Sequence, residues 1–239
     1  AFGRTTAGAE ILVDGKLETV ASRRGRFVVG FDRDAPPAAL IEARHEGVSV
    51  QRTLQVAPGV WDEQRIDGLP PEQVSPTDPA LLERIAREAA LKRAALQSRE
   101  PSDDFAHGFE WPLDRFRVSG RFGNRRILNG EPKRPHYGID LACPTGTPVL
   151  APAPGRVILA ETDMHFEGGL VFLDHGQGLI SMYLHLSRVY ARVGDRLASG
   201  ARIGRVGSTG RATGPHLCWR LRWRDRNLDP SLLVGATSI

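Results

Sequence analysis

Cysteine is scarce in this chain of 239 residues, which contains only Cys143 and Cys218. Two cysteines are too few for the disulfide framework of a small secreted scaffold. No apolar run approaches the roughly 20 residues that a membrane-spanning helix needs, so the sequence predicts no transmembrane segment. The composition, with 41% hydrophobic and 25% charged residues, is that of a globular protein and excludes a mainly disordered chain.

The chain is mildly basic, and arginine carries most of the positive charge. Lysine and arginine together number 32 against 28 acidic residues, and only Lys16, Lys92 and Lys133 are lysines. No basic cluster is interleaved with aromatic residues, as nucleic-acid binding would require, so no nucleic-acid partner is predicted. A mildly basic protein is nevertheless attracted to polyanionic surfaces.

Turn residues and apolar periodicity divide the chain into three parts. Residues 1–60 contain short alternating runs broken by turn residues, which predicts a small, sandwich-like β unit. Residues 61–105 begin with a proline-rich stretch and continue as a helical pattern opened by Asp78-Pro79, which predicts a linker and a connecting helix. Residues 106–239 return to short strands punctuated by glycine and proline. We therefore expect a mainly β fold with a larger C-terminal antiparallel domain.

The segment 136–140 (HYGID) carries two potential metal ligands, His136 and Asp140. Side chains at i and i+4 lie about 6 Å apart on a helix but about 13 Å apart on a straight strand. The flanking prolines argue against a helix, whereas Gly138 supplies a bend that could bring both side chains to one metal ion. On its own, this spacing is a common coincidence.

Residues 216–223 (HLCWRLRW) alternate strictly, which predicts a β-strand with one apolar face. The residues expected on the buried face are Leu217, Trp219, Leu221 and Trp223, and those on the opposite face are His216, Cys218, Arg220 and Arg222. Because residues at i and i+2 lie about 6.6 Å apart at Cα, His216 and Cys218 can converge on one ion or substrate. A free cysteine is usually an apolar filler, but Cys218 lies off the apolar face.

Residues 180–186 (ISMYLHL) alternate in the same way. The pattern predicts that Ser181, Tyr183 and His185 share a polar face, which is compatible with the border of a cleft. A histidine on the protein surface explains the pattern equally well.

Three of these residues together have the composition of a zinc site. His136, Asp140 and Cys218 are ligands of types that zinc accepts, and a fourth position would remain open for water. This arrangement predicts a catalytic zinc site rather than a structural one. His185 and His216 would remain as unligated imidazoles for proton transfer and charge stabilisation.

Several motifs follow one another in order over about 120 residues of the C-terminal part. They are 119–123 (SGRFG), 136–141 (HYGIDL), 144–148 (PTGTP), 183–187 (YLHLS), 194–195 (GD), 206–210 (VGSTG) and 213–217 (TGPHL). In this order they resemble the catalytic domain of the LytM/lysostaphin-type zinc endopeptidases, which cut peptide bridges in bacterial peptidoglycan. More weakly, the N-terminal β unit and helix resemble the accessory region of periplasmic members.

The resemblance implies a compact, mostly antiparallel β domain with a groove over its sheet. It implies that His136 and Asp140 are zinc ligands and that His185 and His216 line the metal as catalytic histidines. The second histidine of the family's H-x-H motif, normally the third zinc ligand, is Cys218 here. A thiolate also binds zinc but donates more charge than imidazole, so we expect a weaker Lewis acid and slower hydrolysis.

Arg220 is a second departure, because the family usually has a small or acidic residue at this position. On the groove face it could contact substrate carboxylates, whereas at the strand end it would be solvated, and the sequence favours the solvated side chain. Cys143 follows Asp140 by three residues and is expected to face away from Cys218, so a disulfide between the two cysteines is not predicted.

The function implied by the resemblance is a zinc-dependent endopeptidase that cleaves peptide cross-links or stems of peptidoglycan. The alternative is a catalytically impaired member that binds or regulates other cell-wall hydrolases. Four of the five expected site residues persist, which favours the enzyme. The implied partners are a peptidoglycan peptide and cell-envelope proteins, and the implied location is periplasmic or otherwise extracytoplasmic. The chain begins at Ala1 without a leader, so we expect that a signal peptide has been removed.

Overall fold

Strands dominate the computed structural model, which describes residues 1–235. The N-terminal strands are β1 (Phe2–Arg4), β2 (Glu10–Val13), β3 (Lys16–Val20), β4 (Arg26–Val28), β5 (Ala38–His45) and β6 (Val48–Gln55). They are followed by β7 (Glu63–Ile66), α1 (Pro71–Val74) and α2 (Pro79–Ala95). The remaining strands are β8 (Arg117–Gly120), β9 (Arg125–Leu128), β10 (Glu131–Lys133), β11 (Ile139–Ala142), β12 (Pro148–Leu150), β13 (Gly155–Met164), β14 (Gly168–Asp174), β15 (Leu179–Val189), β16 (Arg196–Leu197), β17 (Arg202–Val206), β18 (His216–Trp223) and β19 (Arg226–Leu228). The predicted mainly β fold is confirmed.

The N-terminal part forms an antiparallel sheet with the strand order β3-β2-β5-β6, and β1 pairs with β4 beside it. The hairpin between β2 and β3 turns at Asp14-Gly15, where both residues have positive φ, +50° and +79°. An Asp-Gly pair suits such a turn because both central residues of a type I′ turn need this left-handed backbone.

The C-terminal part contains the large sheet, whose main path runs β16-β13-β14-β15-β18-β11-β8. Strand β18 lies inside this sheet, between β15 and β11. The alternation predicted for this strand is confirmed, because Leu217, Trp219, Leu221 and Trp223 are each at most 1% exposed. Burial of each such side chain contributes roughly 1.5–3 kcal/mol to folding, which fixes the register of β18 and therefore the face that its polar residues occupy.

The two faces of the large sheet are covered differently. One face shares a continuous hydrophobic core with the N-terminal sheet, in which Ile11 and Val29 belong to the same cluster as Trp219 and Trp223. The opposite face carries a smaller cluster that includes Met182. The division into residues 1–60, 61–105 and 106–239 stays a prediction.

Residues 63–74 pack against the C-terminal part. Strand β7 pairs in parallel with β9, which itself pairs with β10, and Leu69, Val74 and Leu128 form a small buried cluster. Helix α2 begins after Asp78, whose carboxylate accepts a 2.8 Å hydrogen bond from the Leu81 N–H, as expected for an N-cap. Among residues 1–235, no helix combines the length and apolarity that crossing a membrane requires.

Candidate metal centre

Three potential metal ligands converge beside β11 and β18. A ring nitrogen of His136, a carboxylate oxygen of Asp140 and the sulfur of Cys218 all lie within 4.8 Å of one another, and all three residues are buried. His136 Nε2 is 3.1 Å from Asp140 Oδ1 and 3.4 Å from Cys218 Sγ. The sequence predicted this group of ligands, and the fold brings them together.

The sheet register accounts for the convergence. Asp140 of β11 lies directly opposite Cys218 of β18 in an antiparallel pair, so both side chains project from the same face. His136 reaches this face from the chain before β11, past Gly138. A Cβ atom on Gly138 would lie 2.6 Å from Arg220 Cγ and 3.3 Å from Cys218 Sγ. A glycine is therefore needed at position 138, because this segment and strand β18 approach each other closely.

A second layer of contacts orients two of the three ligands. His136 Nδ1 donates a hydrogen bond to the Arg121 carbonyl over 3.2 Å, which leaves the Nε2 lone pair directed at the cluster. Arg126 Nη2 donates to Asp140 Oδ2 over 2.6 Å and leaves Oδ1 for the cluster. Burial raises the pKa of Asp140, but His136 and Arg126 lower it by more, so the carboxyl remains ionised.

The cluster has the chemistry of a cation site. The buried Asp140 Oδ1 accepts no hydrogen bond within residues 1–235, and it lies 3.1 Å from His136 Nε2, whose lone pair faces it when the imidazole is neutral. Lone pairs that face each other repel unless a cation lies between them. Tetrahedral zinc with nitrogen, oxygen and sulfur ligands would separate its ligand atoms by about 3.3–3.6 Å, close to the 3.1 Å and 3.4 Å that separate His136 Nε2 from Asp140 Oδ1 and Cys218 Sγ. These residues therefore fit a zinc ion.

The charge balance at His136 also indicates a cation. Burial lowers the pKa of this imidazole, but Asp140 and Cys218 raise it by more, so the pKa is raised overall. An excess of negative charge around a buried base favours a bound cation, whether a proton or a metal ion.

Two further histidines lie next to the cluster. The rings of His185 and His216 are 4.7 Å apart between centroids, and His216 Nε2 is 3.8 Å from Asp140 Oδ1. His185 Nδ1 donates to the Thr209 carbonyl and His216 Nδ1 to the Gly214 carbonyl, each over 2.8 Å. Since a carbonyl can only accept, Nδ1 carries the proton and Nε2 keeps its lone pair.

Both of these imidazoles are neutral at pH 7. Burial lowers the pKa of His185 to about 4, and burial also lowers the pKa of His216. Each histidine therefore presents a bare nitrogen that can accept a proton.

His185 reaches the site because its backbone breaks the strand pattern. Regular alternation would place it on the face that carries Ser181 and Tyr183, as the sequence predicted. Instead, His185 has a φ of +67°, a left-handed conformation that is rare for a residue other than glycine. This irregularity within β15 places its ring beside His216. Strain of this kind is concentrated at functional sites.

The predicted polar face of β15 is wrong for Ser181 and Tyr183. Both are completely buried, and the Ser181 hydroxyl contacts Tyr183 Oη and His175 Nε2 at 2.7 Å each. His175 is buried as well and donates from Nδ1 to the Pro154 carbonyl over 2.6 Å. These residues form an internal polar network, whose satisfied hydrogen bonds explain why polar side chains can occupy the core.

A cleft of about 150 Å³ opens onto the two histidines. Asp140 and His216 line it, and Gln64, Ile66 and Leu69 also contribute to its lining. Sequence reasoning missed this contribution, because residues 63–74 were expected to be a linker. It also missed Arg126, since no local motif connects this arginine to Asp140.

Arg220 differs from the solvated side chain that the sequence favoured. It is half-buried, and its Nε donates to Cys218 Sγ over 3.5 Å. Both cysteines are free thiols, and Cys143 contacts the Leu141 carbonyl instead of Cys218.

Comparison with known proteins identifies the family. The model of peptidase family M23 matches residues 134–230. A Pseudomonas aeruginosa crystal structure assigned to peptidase M23 is 32% identical, covers 99% of this chain and 93% of its own, and superposes with a TM-score of 0.73. The chain belongs to peptidase family M23. Cys218 therefore occupies the second histidine position of the H-x-H motif of this LytM/lysostaphin-type family.

Curated relatives in the M23 family share only part of their length with the chain. The peptidoglycan DD-endopeptidases ShyA and ShyC of Vibrio cholerae are 39% and 42% identical over 128 and 130 residues. These matches cover 52% and 54% of this chain but 29% and 27% of the relatives. The chain thus matches less than a third of the length of these relatives.

Proposed function

We propose that this M23 member is a zinc-dependent endopeptidase that cleaves peptide cross-links or stems of peptidoglycan. The observation that carries the proposal is the convergence of His136, Asp140 and Cys218 beside the two bare Nε2 atoms of His185 and His216. The names of the relatives, peptidoglycan DD-endopeptidases, support the substrate class. Because peptidoglycan lies outside the cytoplasm, we expect a periplasmic or otherwise extracytoplasmic location.

The ligand set assigns different roles to the site residues. His136, Asp140 and Cys218 would hold the ion, and the backbone carbonyl of Arg121 and the side chain of Arg126 orient two of these residues. When bound, zinc supplies Lewis-acid chemistry that polarises the peptide carbonyl and makes water more acidic.

His185 and His216 supply the proton chemistry beside these ligands. One of them accepts the proton of the attacking water, because both present an unprotonated Nε2. The other stabilises the negative charge that develops on the carbonyl oxygen. That imidazole must first take up a proton from solvent at Nε2, since its Nδ1–H is committed to a backbone carbonyl.

The experiment is digestion of purified peptidoglycan with this protein, followed by separation of the released muropeptides. We expect release that a chelator abolishes, that added zinc restores and that His216→Ala removes. Arg115→Ala is the matched control, because this side chain is 95% exposed and lies outside the cleft. Zinc binding without any release of muropeptides would contradict the peptidase and support a protein that binds the wall or regulates other hydrolases.

A further inference from the structure

A groove of about 620 Å³ runs from the metal centre between helix α2 and the large sheet. His136 and Arg126 line it at the metal centre, and Arg93 lines it on the helix. The groove also has an apolar lining, contributed by Leu170, Phe172, Met182 and Leu184. Its position beside the metal centre suits a peptide that continues from the cleavage site.

The charge of this groove is strongly one-sided. Its charged lining consists of Lys92, Arg93, Arg126, Lys133, Arg134, Arg211, Arg220 and Arg222 against one carboxylate, Glu167. The chain as a whole is nearly balanced, with 32 basic and 28 acidic residues. The concentration of positive charge is therefore a local property of the groove.

Several of these cations lack a carboxylate partner. Ion pairs join Lys92 to Glu167, Arg126 to Asp140 and Lys133 to Glu131. Within residues 1–235, the other five cations have no carboxylate oxygen within 4.0 Å. Those five are Arg93, Arg134, Arg211, Arg220 and Arg222.

The cations also act on one another. Burial lowers the pKa of Arg211, and the positive charges of Arg220 and Arg126 lower it further. Arg211 is placed over the ring of Phe166, 4.8 Å from its centroid, which holds the guanidinium in place. A groove that gathers several cations at close range stabilises a bound anion.

We infer that this groove binds a segment of substrate peptide that carries carboxylates. The inference rests on the proposed peptidase function. Guanidinium groups form bidentate hydrogen bonds with carboxylates, and the apolar lining can take the aliphatic parts of the peptide. Because the guanidinium groups bind carboxylates, we expect the groove to bind acidic peptides more tightly than neutral ones.

The test compares two dye-labelled, alanine-rich peptides by fluorescence anisotropy. One contains two glutamates and a free carboxyl terminus, and its twin contains two glutamines and an amidated terminus. We expect the acidic peptide to bind about tenfold more tightly at low salt and the difference to shrink as salt is added. The double variant Arg134→Gln, Arg222→Gln should reduce the preference, whereas the exposed control Arg115→Gln should retain it.

Equal binding of the two peptides would overturn the inference. So would competition by polyphosphate at lower concentration than the acidic peptide, because the groove would then select phosphate groups. The readout requires no turnover, so failure of the digestion assay would contradict the proposed function without removing the acidic preference.

Independently of the charge of the groove, Arg220 contacts the metal-ligand candidate Cys218. The Arg220 Nε–H donates to the sulfur over 3.5 Å, and the absence of a side chain at Gly138 makes room for the arginine stem. Hydrogen bonds to a metal-bound sulfur withdraw charge from it and thereby tune the metal. We infer that Arg220 is a positioning residue that offsets the extra charge a sulfur ligand donates.

The test uses cobalt(II)-substituted protein, whose sulfur-to-cobalt charge-transfer band reports on the sulfur directly. We expect Arg220→Gln to shift this band to longer wavelength, because the sulfur loses its donor. Arg222→Gln, two residues further along the same face, should leave the band in place. An unchanged band in Arg220→Gln would overturn the inference.

A pair of variants provides an independent check. An imidazole at position 218 that binds zinc would have no free acceptor for Arg220, so Cys218→His alone should bind zinc weakly. Adding Arg220→Gln should restore zinc affinity by about tenfold. If zinc affinity does not rise in the double variant, the pairing of Arg220 with Cys218 is contradicted.

Discussion

His175 is expected to make the protein less stable in acid. This completely buried imidazole contacts the Ser181 hydroxyl at Nε2 and donates from Nδ1 to the Pro154 carbonyl. With Nδ1 protonated, Nε2 must accept the Ser181 proton, and Tyr183 then donates to Ser181. Protonation of Nε2 would break this chain of hydrogen bonds and bury a charge.

The direction and size of this loss of stability follow from the pKa of His175. Burial lowers the pKa of His175 from its ordinary value of 6.5 to about 4. The unfolded chain therefore takes up a proton at a higher pH than the folded chain does, and stability falls as the pH falls through this range. The loss is about 2 kcal/mol at pH 5 and about 3 kcal/mol at pH 4, and it is negligible above pH 7.

The assay is urea-induced unfolding at pH 7, 5 and 4 for the natural protein and for His175→Asn. The asparagine amide can still donate to the Pro154 carbonyl but does not titrate. The variant loses packing at every pH, so the informative quantity is the change between pH values. We expect the acid loss in the variant to be smaller by about 3 kcal/mol. Identical losses in both proteins would refute the reasoning.

Two further predictions concern the residues around the metal ligands. Arg126→Gln leaves Asp140 Oδ2 without its charged partner and should weaken zinc affinity by about 10–100-fold, measured by competition with a chromophoric chelator. Unchanged affinity would show that this arginine does not orient the carboxylate. Gly138→Ala places a Cβ 2.6 Å from Arg220 Cγ and should lower the free energy of unfolding by about 1–3 kcal/mol. Gly214→Ala is the matched control, since no atom of residues 1–235 lies within 4 Å of its added Cβ, and an equal loss there would contradict the steric argument.

The sequence predicted the parts of the site that local pattern determines. Strict alternation in β18 placed Cys218 and His216 on one face, and apolar residues buried on the other face hold that register. The bend at Gly138 accounts for the approach of His136 to Asp140. Each of these features depends on a few residues that are close in sequence, so it can be predicted from a single sequence.

Long-range contacts were not predictable in the same way. Arg126 meets Asp140 only because the short strand β9 lies beside β7, and no local spacing encodes that parallel pairing. His185 departs from the alternation of β15 because its own backbone is left-handed. Arg220 on a polar face was expected in water, but the groove that holds it is built from helix α2 and other distant segments.

The zinc content of the purified protein tests the central claim most directly. Elemental analysis after exposure to zinc and exhaustive dialysis should find about one zinc per chain. The same value is expected for Cys143→Ala, which loses the thiol outside the cluster, and little zinc should remain in Cys218→Ala. A natural protein that retains no zinc, or a Cys218→Ala variant that retains all of it, would contradict a metal centre built on His136, Asp140 and Cys218.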